Sequence, residues 1–519
     1  MPISRNKTTA TLASCMMLTF ASSASAEWLK AESEHFVVYG DTSSGALRSY
    51  TQKVERFDRL LRLYFPVQSD VQAPKLPIYL ADGLEDMRKV WPDIPSNVGG
   101  FYTPNVERIF AVTGGQGSAN DRTLFHEYAH HFMHQYFQAA YPGWFVEGFA
   151  EYFATADMTP GRTRVGLHSP ERMNSLTLGA NSWLPMEDVL RSRGAAIGSQ
   201  GHSYYAQAWA LTNYLMSTPE RQMMLRRYLA TVANGADPVA ALDGTINRTP
   251  AQLQDDVRRY LGRITFYTLQ QDFPATPVEI DRLSSVEQDF VWLDLRLARY
   301  VPEDQRAGNL SEAQRLALRH PGDPLAARTV AQAYLDLEQP EKAVEVLEPV
   351  VASHPKDAVT LRFLATAMME AGDAASEAGD PQRGVELYNA ARPLLARAYT
   401  EDATDYRLYL AMAVNREGAA GYPTENDLQI LRLGAALAPQ LGALRMRAAR
   451  AMMHSGHFDE AVAYLAPLAN NPHGGDASGD IRTLLEEAQA RLAEAAGAEP
   501  NAKDTDDLSS QPPKAGAST

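Results

Sequence analysis

The chain has 519 residues, too many for one ordinary core, so two or more domains are expected. Its 45% hydrophobic content is enough to fill folded cores, while 63 acidic against 48 basic residues leave a net charge of −15. That balance argues against a phosphate-seeking surface for nucleic acid and favours solubility.

In chain order, residues 1–26 read as an export signal. Arg5 and Lys7 supply a positive start, Thr8 to Phe20 a short apolar stretch, and Ala24-Ser25-Ala26 a small-residue cleavage site. The apolar run is too short to span a bilayer. Cys15, the sole cysteine, lies inside it in "LASC". A lipoprotein site there is the weaker reading, because little apolar sequence precedes the cysteine and a better cleavage site follows it. Cleavage after Ala26 leaves a mature chain without disulfides or thiolate metal ligands. No later run reaches the length of a membrane helix, so the expectation is an exported protein, periplasmic or secreted, with no transmembrane segment.

From Glu27 to about residue 115 short strand-like runs surround a helical segment. "HFVVYG" (His35 to Gly40), "KLPIYLA" (Lys75 to Ala81) and "ERIFAVTGG" (Glu107 to Gly115) read as strands. Val54, Phe57, Leu60, Leu61 and Tyr64 fall at helical spacing within Leu47 to Phe65. After Asn120 the pattern is mainly helical, so the first domain reads as α+β.

The stretch "TLFHEYAHHFMHQYF" (residues 123–137) carries the chemistry. His126 and His130 are four apart, which on a helix puts both imidazoles on one face within reach of a single ion, and Glu127 follows the first. This is the HExxH arrangement, with two zinc ligands and a glutamate base acting on water. Asn120 or Asp121 is expected to cap the helix, with Leu124, Phe125, Ala129, Phe132 and Met133 packing its other faces. His134 also lies four beyond His130, but no glutamate base lies between them, and His131 points about 100° away; both read as flanking residues.

Downstream, "PGWFVEGFAEYFA" (Pro142 to Ala154) opens with a turn signal and places Glu147 and Glu151 one helical turn apart. An αα-hairpin would bring Glu147 beside the histidines as a third ligand and leave one position open, as catalytic sites require. Glu151 reads either as a solvated helix residue or as the acceptor that orients a zinc histidine.

HEYAH followed by Glu147 in "WFVEGFAEYF" resembles the gluzincin metallopeptidases, specifically the peptidase-MA-like group that shares its core with the gluzincin aminopeptidases. The resemblance covers roughly residues 27–275, with its specific motifs at 126–151. It implies a zincin-like α+β domain, zinc as cofactor, and Glu147 as the third ligand. It does not imply aminopeptidase activity, since no counterpart of the "GxMEN" strand is found. "GHSYYAQAWALTNYLM" resembles the following helix of that family, where a tyrosine often faces the zinc. Tyr205 fits that register better than Tyr204, and a phenol there would donate to the oxyanion. The competing readings are a packing role for these rings, and His202 as the donor.

After about residue 275 the pattern changes. His320-Pro321 and His354-Pro355 are separated by 34 residues, with Ala331, Tyr334 and Ala343 between them, which resembles a tetratricopeptide repeat. A second unit from Ala358 carries an apparent insertion near "AASEAGD", and a third lies in "RMRAARAMMHSGHFDEAVAYLAPLANNP". The expected organisation is a signal at 1–26, a metallopeptidase domain at 27–275, an all-α superhelical repeat domain at 276–495 and a disordered tail at 496–519.

The function expected is a zinc peptidase of the cell envelope. His126, His130 and Glu147 hold the metal, Glu127 is the base, Tyr205 the oxyanion donor and Glu151 an outer support. The substrate would be a protein or peptide, and a separate repeat domain would offer its concave groove to an envelope protein partner. The alternatives are a non-catalytic binding scaffold and, ranked lowest, a zinc amide hydrolase acting on cell-wall material.

Overall fold

The computed structural model describes residues 28–498, except 68–71, 115–116, 160, 178–182, 193–199, 271–272 and 472–477. The expected signal segment therefore lies outside the described residues. Strands β1 (Trp28–Glu32), β2 (Phe36–Asp41), β3 (Leu76–Leu80), β4 (Gly100–Pro104) and β5 (Ile109–Thr113) precede the histidine-rich stretch. β6 (Asp157–Thr159), β7 (Arg162–Val165) and β8 (Tyr267–Leu269) form a small second sheet, and β9 (Glu279–Arg282) returns to the first. The six-stranded order is β4-β5-β3-β2-β1-β9, with β2, β3 and β5 parallel and the outer pairs antiparallel.

Period-two alternation assigns the two faces of this sheet. Phe36, Val38, Ile78 and Ala111 turn to the side covered by the helix Ser44–Tyr64 and the histidine helix Ser118–Tyr136, whereas Tyr79, Phe110 and Val112 turn to the other. Ser44–Tyr64 starts where Ser43 Oγ accepts the Ala46 N–H at 3.3 Å, and it buries Leu47, Val54, Phe57, Leu60 and Leu61. At about 1.5–3 kcal/mol per buried large apolar side chain, that stripe outweighs the cap, worth about 1 kcal/mol.

The first unit does not end at residue 275. β9 pairs with β1 from Leu29↔Arg282 to Glu32↔Glu279, so the sheet takes its edge strand from beyond that point. The next helix, Ser285–Leu297, begins in a capping box between Ser284 and Glu287. Its Val291 and Leu295 pack on the sheet with Tyr79 and Phe110, while Phe290, Leu293 and Leu297 pack on the helices that follow. One helix is thus shared by both parts of the molecule.

Successive antiparallel helices then stack, as the 34-residue spacing predicts: Glu303–Ala317, Pro324–Asp336, Pro340–Ser353, Ala358–Glu377, Pro381–Glu401, Tyr406–Glu417, Glu425–Leu437, Gly442–His454 and Phe458–Ala469. Asp323, Asp357 and Asp405 cap three of them through side-chain bonds to backbone N–H groups. The apparent insertion is half helix and half a tight turn at 378–380. It lengthens one hairpin to helices of 20 and 21 residues, against 13 and 14 in the hairpin before. The last helix, Ser478–Ala498, enters the segment expected to be disordered, and the rest of that tail lies outside the described residues.

The array is not separate from the first unit. Its later helices return to the histidine helix and the loop after it: Gln135 Nε2 donates to Leu437 O at 3.4 Å, Arg445 Nη1 to Gln138 Oε1 at 3.3 Å, and Asn470 Nδ2 to Ala140 O at 3.3 Å. Tyr409, Leu431, Leu437 and Leu444 belong to the same apolar core as Phe125 and Phe132. The tip between β4 and β5 also meets the array, where Arg407 Nη1 donates to Glu107 O at 3.0 Å. The expectation of an independent repeat domain with a free groove is corrected accordingly, because these helices bury their apolar faces against the domain that precedes them.

Candidate metal centre

The histidine helix begins at Ser118 after Gly117, earlier than the expected cap. Asn120 and Asp121 lie inside its first turn, where Asn120 Nδ2 donates to Gly114 O at 2.6 Å and Asp121 pairs with Lys53 at 3.0 Å. Leu124, Phe125, Ala129, Phe132 and Met133 are all buried, and Phe125 stacks on Phe57 at 4.2 Å. That packing fixes the helix's rotation and turns His126 and His130 to one side.

After the loop at 138–142 the glutamate helix, Gly143–Ala154, packs back against it with every residue buried. Glu147 arrives fully buried beside both rings. His126 Nε2 and His130 Nε2 are 3.0 Å apart, and Glu147 Oε2 stands 3.7 Å from the first and 3.4 Å from the second. Three ligands at about 2.0–2.1 Å from a tetrahedral zinc would be separated by ~3.3 Å, so these residues fit such an ion. Burial and the neighbouring His130 hold the His126 pKa below its usual value. For His130 burial pulls the same way, but the carboxylates of Glu147, Glu127 and Glu151 together outweigh it and the net shift is upward.

Glu151, one turn past Glu147, has Oε1 3.4 Å from His126 Nδ1. Arg172, from the short helix Pro170–Thr177, grips the same carboxylate at both oxygens, 2.5 and 2.9 Å away. The guanidinium also lies over the Tyr205 ring, 5.6 Å from its centroid. Nothing in the spacing of "SPERMN" signals this role; only the fold brings Arg172 there. Glu127 is half-buried, and its charge acts on His126, His130 and Tyr205.

Tyr205 sits on the helix Gly201–Met216, which packs against the glutamate helix. The crossing is close enough that a Cβ on Gly148 would collide with Thr212 Oγ1 and the Ala208 carbonyl, so the glycine after Glu147 is what permits it. Burial first, then the Glu147 and Glu151 carboxylates, push the Tyr205 pKa far above the usual phenol value, so it keeps its proton. Tyr204 is fully buried with its hydroxyl 3.4 Å from Ser192 O, and His202 is exposed on the first turn. His131 is buried and bonded to the Tyr102 hydroxyl at 2.9 Å, with burial driving its pKa down to about 3. His134 is half-buried in the last turn. Neither His131 nor His134 joins the three convergent groups.

A second group, Glu34, His35 and Glu55, also brings three donor atoms together. It is internally satisfied. His35 gives its backbone N–H to Glu55 at 2.8 Å and its Nδ1 contacts Glu55 at 3.0 Å and Asp58 at 3.4 Å. Asp58 accepts the Tyr128 hydroxyl at 2.6 Å, which ties this network to the histidine helix.

A family model described as a protein of unknown function (DUF1570) matches residues 122–236, a stretch holding His126, His130, Glu147 and Tyr205. No curated protein matches. Among solved structures, TTC0263, a thermophilic TPR protein of Thermus thermophilus, is 20% identical, with 40% of this chain and 100% of that one covered and a TM-score of 0.33. MamA is 14% identical, with 38% and 99% covered and a TM-score of 0.24.

Proposed function

We propose that the protein is a zinc-dependent hydrolase of peptide bonds, exported to the cell envelope, with a zincin-like domain whose His126, His130 and Glu147 hold the ion. The observation that carries this reading is the convergence of His126 Nε2, His130 Nε2 and Glu147 Oε2 at 3.0–3.7 Å, with Glu147 fully buried and His126 half-buried. When bound, zinc supplies Lewis acidity toward a carbonyl oxygen and makes water acidic near neutral pH. Glu127 takes the proton of the attacking water and returns it to the leaving amine. Tyr205, held protonated, donates to the oxygen on which negative charge develops. Glu151 Oε1, 3.4 Å from His126 Nδ1, favours the proton on that nitrogen and so the Nε2 lone pair toward the centre, while Arg172 holds Glu151 in place.

The stacked helices provide the second part of the reading, an extended surface for a protein partner or substrate. Since the tip between β4 and β5 meets Arg407, that partner contacts surfaces which this tip leaves open. The test is metal analysis of the full chain beside hydrolysis of an unstructured protein such as casein. About one zinc per chain is expected, absent in His126→Ala and His130→Ala. Unchanged metal content in both variants would refute the ligand set, and bound zinc without any hydrolysis would favour the scaffold alternative.

A further inference from the structure

A cavity of about 320 Å³ lies behind the histidine helix, at the seam between the six-stranded sheet and the returning helices. Arg108 reaches its wall from the β5 side and Arg407 from the array, their side chains 28% and 21% exposed. Arg108 is paired with Asp294 at 2.6 Å. Asp405 serves two guanidiniums, Arg362 at 3.1 Å and Arg407 at 2.7 Å, and Asp402 stands on the same wall. Two residues that line it each carry a buried polar atom without a hydrogen-bond partner among the described residues: Tyr406, only 7% exposed, at its hydroxyl, and Gln440 at Oε1. The Gln440 amide is otherwise used by Tyr102. Tyr39 and Tyr79, stacked at 4.6 Å, supply an aromatic wall.

We propose that this cavity binds a small molecule with one free carboxylate beside an N–H, the chemistry of an α-amino acid or the carboxyl end of a short peptide. The carboxylate meets Arg108 and Arg407, the N–H meets the acceptor Gln440 Oε1, and the Tyr406 hydroxyl takes a second acceptor on the ligand. Asp402 and Asp405 on the same wall oppose a multiply charged anion such as phosphate. The volume is near the lower end, about 300 Å³, of cavities that hold small ligands at domain interfaces. The site is distinct from the three convergent metal-type ligands and does not depend on the reading given to them.

The experiment is calorimetry of the full chain with leucine, Gly-Leu, C-amidated Gly-Leu and inorganic phosphate, repeated in His126→Ala to remove any contribution from the metal centre. Saturable binding of leucine or Gly-Leu is expected in both backgrounds, with the amidated dipeptide at least tenfold weaker. Tyr406→Phe and Gln440→Met, which keep the packing volume, should each weaken binding about five- to tenfold, with cooperative melting verifying that each is folded. No saturable heat up to ~10 mM ligand, equal binding of the amidated dipeptide or of phosphate, binding lost in His126→Ala, or affinity unchanged in both wall variants would each overturn the proposal.

Discussion

Replacing Glu151 with Gln probes the support of the metal centre without touching a ligand. Glu151 Oε1 is shared: it takes Arg172 at 2.5 Å and stands 3.4 Å from His126 Nδ1. Losing an outer partner of a metal-binding histidine costs about 10–100-fold in affinity. The stretched contact and the competition from Arg172 favour the lower end, about tenfold, or ~1.4 kcal/mol. Folding stability should fall as well, because the amide offers the mostly buried guanidinium one acceptor where the carboxylate offered two; a charged hydrogen bond contributes about 1.5–3 kcal/mol. Zinc affinity is read by competition with a chromophoric chelator at pH 7.5, and stability by thermal melting of the metal-free chain. If Glu151→Gln binds zinc within twofold of the parent while His126→Ala loses it, Glu151 does not orient His126 and its pairing with Arg172 is structural only.

Glu127→Gln should retain zinc yet lower turnover by about 10²–10⁴-fold, and Tyr205→Phe should lower it roughly ten- to a thousandfold with zinc content unchanged; wild-type rates would remove either residue from the mechanism. Gly148→Ala should destabilise the fold by about 1–3 kcal/mol through overpacking at Thr212 and Ala208 and weaken zinc binding by displacing Glu147; a normal melting curve with normal zinc affinity would contradict the close crossing. His35 gives a pH signature. Burial lowers its pKa but the Glu55 hydrogen bond overcomes this, so the folded value lies above the usual 6.5. Its contribution, about 1 kcal/mol, is complete below pH 6.5 and lost as pH rises through the raised folded value. The difference in stability between wild type and His35→Gln should therefore shrink across that window, and a constant difference would show that the ring is not charged there.

Legibility in the sequence followed the range of the interactions. Val54, Phe57, Leu60 and Leu61 announce their helix because one stripe is buried, and His126, Glu127 and His130 announce the site because helical period alone puts the imidazoles together. Glu147 needed only one short turn more. β1 and β9 carry no such mark: "WLKAE" buries only Ala31 and "EIDR" nothing fully, so β1 is a strand through its pairing with nearby β2, and β9 through pairing with β1 across some 250 residues of chain. Arg172 and the contacts from Gln135 and Gln138 to the array are likewise tertiary, with no local pattern to reveal them. The "AASEAGD" segment was misleading because its alanines lie in the last turn of the helix Ala358–Glu377 and only its end is a break, where Gly379, at φ 93°, turns the chain into the next helix.

Because the array is fastened to the first unit at both ends, by the shared helix Ser285–Leu297 and by Gln135, Gln138 and Ala140, covalent continuity between its helices is not the only thing holding it together. A single proteolytic nick at an exposed bend such as Gly379-Asp380 would leave each fragment anchored to the same body. The cut chain would migrate as two bands under denaturing conditions yet elute as one particle in native buffer. Fragments expressed separately would have a template on which to reassemble.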